Sequence, residues 1–308
     1  MNHFVVLQQM VVILILVMGG FVCQRIGKVN ETNKKFLSFL VVNIFNPALL
    51  ISSVITNHEE RDYTSVFVSF AMAIAMFAIF IIIGAFASRT QKEKSDRVTL
   101  NLMFIFSNLG FIGLPVIKNV LGDKYVIYNA IYNLVYNIVF YTYGISLTST
   151  KKGFKLANLK GIFSIGTVGA VVAITLFFLN IRMPLIVEES VQYFGASCVP
   201  LALFMIGITL GEEKSLFGIL KLKRNWIFVF VKMFIIPVVC AIGIKYLPIK
   251  EELKFLGLLM FAMPVGSLPL LLLAEKGWDC TFASNVTIMT TIVSVLSIPF
   301  VVFVYQFL

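Results

Sequence analysis

Ten stretches of this 308-residue chain stay apolar for about as long as a helix needs to cross a bilayer, ~20 residues. They run over 4–23, 35–56, 64–87, 98–121, 125–148, 161–181, 186–210, 225–246, 253–275 and 281–306, numbered here as spans 1 to 10. Short connections join most of them. Only 13% of the residues are charged and 59% are hydrophobic, whereas a soluble domain carries about 25% charged residues. Such a chain cannot keep a globular surface in water, which excludes a soluble enzyme and a disordered segment alike. The expected fold is an all-α polytopic membrane protein with ten transmembrane helices. Residues 1–3 carry no basic leader, so span 1 reads as a span rather than a signal peptide.

The net charge of +10 comes from 25 Lys and Arg against 15 Asp and Glu. Nucleic acid is not the expected partner, because basic residues of membrane proteins gather in cytoplasmic loops. The loops after spans 1, 3, 5, 7 and 9 hold 17 of the 25, the remaining connections hold seven, and Lys232 lies inside span 8. This bias places both termini outside the cytoplasm of a plasma-membrane protein. Cys23, Cys198, Cys240 and Cys280 are scattered without a short pair and read as packing residues. No metal and no cofactor is expected.

The chain carries an internal repeat. Asn46-Pro47 in span 2 matches Val199-Pro200 in span 7 at an offset of 153 residues. Gly113-Leu114-Pro115 in span 4 matches Ser267-Leu268-Pro269 in span 9 at 154, Gly122 matches Gly277 at 155, and Asn129 in span 5 matches Asn285 in span 10 at 156. Each half then holds five spans, an odd number, so the second half enters the membrane from the opposite side. The expected organisation is a first repeat over 1–148, a cytoplasmic linker over 149–160 and an inverted second repeat over 161–308. Inverted repeats are a common plan of secondary transporters.

Two spans are interrupted at matched places. Span 4 packs Ser107, Asn108, Gly110, Gly113 and Pro115 into an apolar run, and span 9 does the same with Pro264, Gly266, Ser267 and Pro269. Proline removes a helix donor and glycine weakens a helix interior, so each span is expected to break at mid-membrane. The second half-helices are expected to start near Pro115 and Pro269, since proline suits a first turn. Their N-termini, each worth about half a positive charge, then face the midplane and favour an anion there. The half-helix C-termini favour a cation. A simple kink at each proline is the alternative.

None of the 15 carboxylates lies near the centre of a span, so no intramembrane acid is present to relay protons or bind sodium. Lys232 is the one charge well inside a span. It sits seven residues past Asn225, or ~10 Å deep. It is expected to snorkel to the interface or to make a structural pairing, with direct contact to an anionic solute as the alternative. In span 5, Asn129, Asn133 and Asn137 fall on one helix face, beside Tyr128, Tyr132 and Tyr136. Asn285, Thr287, Thr290, Thr291, Ser294 and Ser297 give span 10 a similar face. Such faces turn to the protein interior, for interhelical hydrogen bonds or for a solute.

These residues resemble the auxin efflux carrier family of permeases. The likeness rests on Asn46-Pro47, on Asn108 to Pro115, on Pro200 to Gly211, and on Met263-Pro264. It continues through Ala274 to Gly277, Thr290-Thr291 and Ile298-Pro299. It implies two inverted five-helix repeats with spans 4 and 9 crossing at their breaks, a fold similar to the bile acid–sodium symporters. Spans 1, 2, 6 and 7 are implied to form a scaffold and a homodimer surface, and spans 3–5 and 8–10 a moving transport bundle. Plant members carry auxin, a carboxylate, and bacterial members include malate and malonate permeases. The plant carriers often have a long loop after span 5, which is absent here. The compact size and the Lys-, Ile- and Phe-rich composition look bacterial.

The expected function is secondary transport of a small organic anion by alternating access, among membrane lipids. The anion is expected at the crossover, near Pro115, Pro264 and Pro269, with Gly110 and Gly113 allowing close approach. Asn46, Ser107, Asn108, Asn129, Asn133, Ser267 and Asn285 are the candidate hydrogen-bonding residues, and Lys232 a possible charge partner. A cation-coupled symporter of a neutral or steroid-like solute is the leading alternative. An intramembrane enzyme lacks any deep nucleophile, base or metal cluster, and a pore would reveal itself by conductance.

Overall fold

A computed structural model of the chain describes residues 3–56, 62–148, 165–181, 183–212 and 221–308. Every regular element among them is helical. α1 covers His3–Arg25, α2 Glu31–Ile55 and α3 Tyr63–Ser88. Expected span 4 is two helices, α4 over Lys94–Ile105 and α5 over Leu109–Leu121. α6 runs over 126–148, α7 over Ile165–Leu179, α8 over Leu185–Glu212 and α9 over Lys223–Lys245. Expected span 9 is also two helices, α10 over Glu251–Phe261 and α11 over Leu268–Glu275, followed by α12 over Thr281–Phe307. The expected linker 149–160, with Lys151, Lys152, Lys155 and Lys160, lies outside the described residues, as do Arg61 and Arg182.

Among the described residues, α2, α3, α8, α9 and α12 are each long and apolar enough to cross a membrane. Repeated crossings make this a multi-pass membrane protein. α4, α5, α10 and α11 are each too short to cross alone, because the interruptions divide their spans. α6 is as long as its neighbours but carries the Asn and Tyr stripes.

Proline shapes several helices by one local rule. The turns Val41–Phe45, Leu109–Gly113 and Val231–Ile235 wind as π-helix, and each ends two residues before a proline: Pro47, Pro115 and Pro237. A proline ring presses on the carbonyl four residues back and offers it no N–H. Those carbonyls belong to Asn43, Phe111 and Met233, each the middle residue of its wide turn. Opening the turn relieves the clash without ending the helix. Pro200 and Pro299 instead sit inside unbroken α-helix, and a fourth π-turn, Phe140–Gly144, has no proline after it.

The described residues fall into two compact units. One gathers those within Met1–Phe67, Gly110–Leu134 and Phe163–Lys214, and the other those within Val68–Leu109, Val135–Ile162 and Ser215–Leu308. The first unit is built by close backbone approach. A β-carbon on Gly20 would overlap the Phe204 carbonyl, and one on Gly207 would overlap the Val17 carbonyl, so α1 and α8 touch main chain to main chain. Without a hydrophobic driving force between helices in lipid, such small-residue contacts supply the van der Waals attraction. In the second unit α12 is the hub, touching α4, α9, α10 and α11. Aromatic rings fill the space around the α4 end, with Phe106 packed 5.2 Å from Tyr136 and 5.1 Å from Phe140.

The α1–α8 contact gives a direct test. Gly207→Ala places a methyl group where backbone cannot yield, and is expected to cost at least about 1–3 kcal/mol. Gly243→Ala, where a β-carbon meets nothing within 4 Å, is the control and is expected to leave stability unchanged or slightly raised. Melting temperatures of the two variants in detergent check this. Equal values would show that α1 and α8 do not pack through Gly207.

Candidate functional site

The site is built where two helices stop. α4 ends at Ile105, and Phe106 turns extended at φ −99° and ψ 93°. α10 ends at Phe261, and the chain runs irregularly until α11 begins at Leu268. Both gaps lie in the second unit, and they meet. Ser107 and Val265 form an antiparallel bridge. The Asn108 amide donates to the Pro264 carbonyl at 2.7 Å, and the Gly266 amide donates to the Phe106 carbonyl at 2.9 Å. The Val265 amide donates to Thr290 Oγ1 at 3.1 Å, from α12. Backbone groups freed by each break are thus satisfied by the other break and by one hydroxyl. An unpaired N–H in a buried setting would cost about 1–3 kcal/mol. Gly266 eases this approach, since a β-carbon there would lie 3.2 Å from the Ser107 carbonyl oxygen, a tight contact.

Each expected proline sits in the first turn of a regular α-helix, but the stretch before Pro115 is helical too. Pro269 does sit in the first turn of α11. Pro115 likewise sits in the first turn of the regular α-helix Leu114–Leu121, and a π-helical turn over Leu109–Gly113, not expected from the sequence, carries α5 back to Leu109. The physical reason is the π-turn: the helix absorbs Pro115 by widening over Leu109–Gly113 and extends back to the polar Ser107-Asn108 pair, where the chain leaves helix to pair with Val265.

Lys232 occupies the end of α4. Its ammonium donates to the Phe104 carbonyl at 2.8 Å and to Ser107 Oγ at 3.0 Å, and lies 3.6 Å from the centre of the Phe80 ring. The side chain is fully buried. The expectation that it might snorkel is therefore corrected, and the structural pairing is the outcome. The half-negative end of α4 and two neutral oxygens sit closer than any aqueous interface. Phe228, four residues earlier on α9, packs 4.6 Å from Phe104 and fixes α9 on α4. Phe80 is backed by Phe261, the last residue of α10, at 5.3 Å.

The structure brings Ser107, Asn108, Pro264 and Lys232 into direct contact and sets Ser267 and Pro269 at the entry to α11. Asn285 is buried on α12, five residues before Thr290. The other candidates belong to the first unit. There Gly110 approaches Asn133, whose Oδ1 would lie 3.7 Å from a β-carbon at 110, and Asn133 Nδ2 donates to the Asn129 carbonyl at 3.0 Å. The Asn129 side chain is fully buried, and neither its Oδ1 nor its Nδ2 has a partner among the described residues. Tyr132, one turn on, is also buried with its hydroxyl unpartnered. Gly113 and Pro115 are buried on α5, and Asn46 is half-buried on α2 at the end of its π-turn.

Three contributors were not singled out from sequence: the Thr290 hydroxyl, the Phe80 ring and the Phe104 carbonyl. Thr290 stood in the polar face of span 10 as one hydroxyl among five. Its role depends on a partner amide 25 residues away. Thr290→Val keeps the shape but removes the acceptor for the Val265 amide. It is expected to cost about 1–3 kcal/mol, read as a lower melting temperature in detergent, while Thr290→Ser stays near the parent. Equal stability of the two variants would show that the Val265–Thr290 bond does not hold the break.

Residues 5–302 match a sequence family described as membrane transport protein. The chain is 23% identical over 301 residues to an uncharacterized transporter of Methanothermobacter thermautotrophicus, covering 93% of this chain and 94% of that protein. It is also 23% identical over 219 residues to an uncharacterized transporter of Methanocaldococcus jannaschii, covering 68% and 70% of the two chains.

Proposed function

The chain belongs to the membrane transport protein family, the auxin efflux carriers, and from that premise we propose that it carries a small organic anion. Malate, malonate or an auxin-like carboxylate fits the chemistry, moved by alternating access. The observation that carries this reading is a buried ammonium at the break of α4, with no carboxylate paired to it among the described residues. A positive interior without an internal acid favours a solute that brings the negative charge itself. The entry to α11 adds the partial positive charge of a helix N-terminus. Ser107, Asn108, Ser267 and Asn285 are the proposed hydrogen-bonding groups beside it. Within the first unit, Asn129 is proposed separately as a polar contact for a solute or water, because a buried amide with no partner among the described residues is costly.

The proposed frame is ten spans in two inverted five-helix repeats over 1–148 and 161–308. Its support is the offset of landmarks, now joined by a structural echo. Gly122 after α5 and Gly277 after α11 both adopt positive φ, 104° and 70°. Both termini are proposed to lie outside the cytoplasm of the plasma membrane, from the lysine and arginine bias. A homodimer through spans 1, 2, 6 and 7 is proposed in addition.

The test is uptake by purified protein in liposomes, with labelled malate, malonate and indole acetate offered separately. Saturable uptake of at least one is expected, reduced by Asn285→Ala and by Ser267→Ala. Absence of saturable uptake for all three would count against the anion reading and leave family membership untouched.

A further inference from the structure

The turn between α3 and α4 meets the start of α9 in the second unit. Arg224 Nη2 donates to Gln91 Oε1 at 3.2 Å and lies 3.7 Å from Asp96 Oδ2, and its guanidinium sits 4.5 Å from the centre of the Phe282 ring. Two basic segments are thereby held side by side. Residues 89–97 carry four Lys and Arg against two acids, and residues 221–224 carry three and no acid, a net charge of +5. Lys92, Lys94, Lys221 and Lys223 are all exposed, and none makes an ion pair among the described residues. Like charges at this density repel one another, and their exposure means that helix packing does not require them.

We propose that this surface binds the headgroups of anionic membrane lipids. The inference goes beyond the transport reading and does not depend on the solute. Charge alone would fit any polyanion, and the flank beside the charges selects a lipid. Ile82 and Phe86 on the last two turns of α3, and Trp226, Ile227 and Phe230 on the first two turns of α9, are exposed. The Arg89 guanidinium lies 4.9 Å from the centre of the Phe86 ring. Both helices are long and apolar enough to cross a membrane, so these side chains meet acyl chains within two turns of the charges. Trp is a residue of the membrane–water boundary. A phosphate that carries acyl chains satisfies both layers at once, whereas a nucleotide or a free phosphate satisfies only the first.

Arg224 builds the patch rather than serving as its free charge. Its partners belong to the α3–α4 turn, α4 and α12, so it fixes where the neighbouring lysines stand and leaves their charges uncompensated. The basic loop after span 1 is arranged differently, because Lys34 there is paired with Glu212 of α8. A basic residue near an anionic membrane surface is worth about a fivefold change in binding. Four free lysines on two adjoining segments are then enough to select lipids by charge.

The experiment titrates phosphatidylglycerol or phosphatidylcholine into the full-length protein, purified in a neutral detergent, and follows the melting temperature. A ligand that binds the folded state raises it by mass action. In wild type, phosphatidylglycerol is expected to give a saturable rise that shrinks as sodium chloride is added, and phosphatidylcholine a much smaller one. Lys92→Gln/Lys94→Gln and Lys221→Gln/Lys223→Gln are each expected to need about tenfold more phosphatidylglycerol, or more still, for half the rise. Lys28→Gln/Lys35→Gln removes the same charge from the exposed loop after span 1 and is expected to respond as wild type does. Equal rises with the two lipids would overturn the proposal. So would patch variants that keep the wild-type response, or a Lys28→Gln/Lys35→Gln protein that loses it as fully as they do. Glycerol 3-phosphate offers the phosphate without acyl chains, and an equal rise with it would make the patch a site for a soluble anion and overturn the lipid assignment. If a patch variant cannot be purified, the wild-type comparison of the two lipids and glycerol 3-phosphate still decides.

Discussion

Hydrocarbon offers no hydrogen bonds, so each backbone amide and carbonyl at membrane depth must find its partner inside the protein. A chain that breaks two helices in apolar surroundings frees several such groups at once. Here the two breaks answer each other. Asn108 donates to Pro264, Gly266 donates to Phe106, and Thr290 takes the amide left between them. Other features follow from that pairing. A glycine at 266 suits the pairing, because a β-carbon there would press on the Ser107 and Phe106 carbonyls. A hydroxyl stands at 290 because Val265 has no main-chain acceptor on the opposing strand. The rings of Tyr136 and Phe140 pack on Phe106, the residue whose carbonyl meets Gly266.

The same pairing sets the local electrostatics. Ending α4 leaves a negative pole, and starting α11 leaves a positive one. The negative pole is met by Lys232. The positive pole at Ser267 and Leu268 meets no described carboxylate, because the acidic residues sit at helix ends or in connections. The balance at the break is therefore positive. Burying an ammonium costs several kcal/mol even after relaxation, a cost that a purely structural helix contact does not require. Leu or Met at 232 would pack on Phe80 without that cost, though it would leave the Phe104 carbonyl and the Ser107 hydroxyl without this donor. That the chain carries a charge there is the strongest physical reason to read the break as an ionic site.

Much of this was legible in the sequence. Polar and small residues inside otherwise apolar runs marked both interruptions, and Pro269 lies in the first turn of α11. Pro115 lies in the first turn of the regular α-helix Leu114–Leu121 as read, but the π-turn before it was not legible, because the first-turn reading of Pro competes with a second solution. The helix can widen and carry the proline in its interior. Pro47 and Pro237 took the same course, whereas Pro200 and Pro299 needed no wide turn. The partner of a freed amide was not legible either. Ser107 meets Val265 through main chain, and main chain leaves no side-chain code. Asn129 was selected for its place on a helix face, and the structure adds that both polar atoms lack partners there.

Lys232 shows why depth along a helix is an incomplete guide to a charge. Counted from Asn225, it lies within a lysine's reach of that end of α9, and snorkelling was a fair expectation on distance alone. Distance does not include the field. An α-helix that ends inside the membrane presents its carbonyls and its negative pole at that depth, and an ammonium then has a nearer partner than water. The choice between interface and interior is made by α4, not by α9. A lysine at the same depth in a protein with an unbroken fourth span would find no free carbonyl and would turn outward. The fate of this one residue is thus tied to the interruption of another helix more than a hundred residues away in sequence, which is why the break and the charge are best regarded as one device.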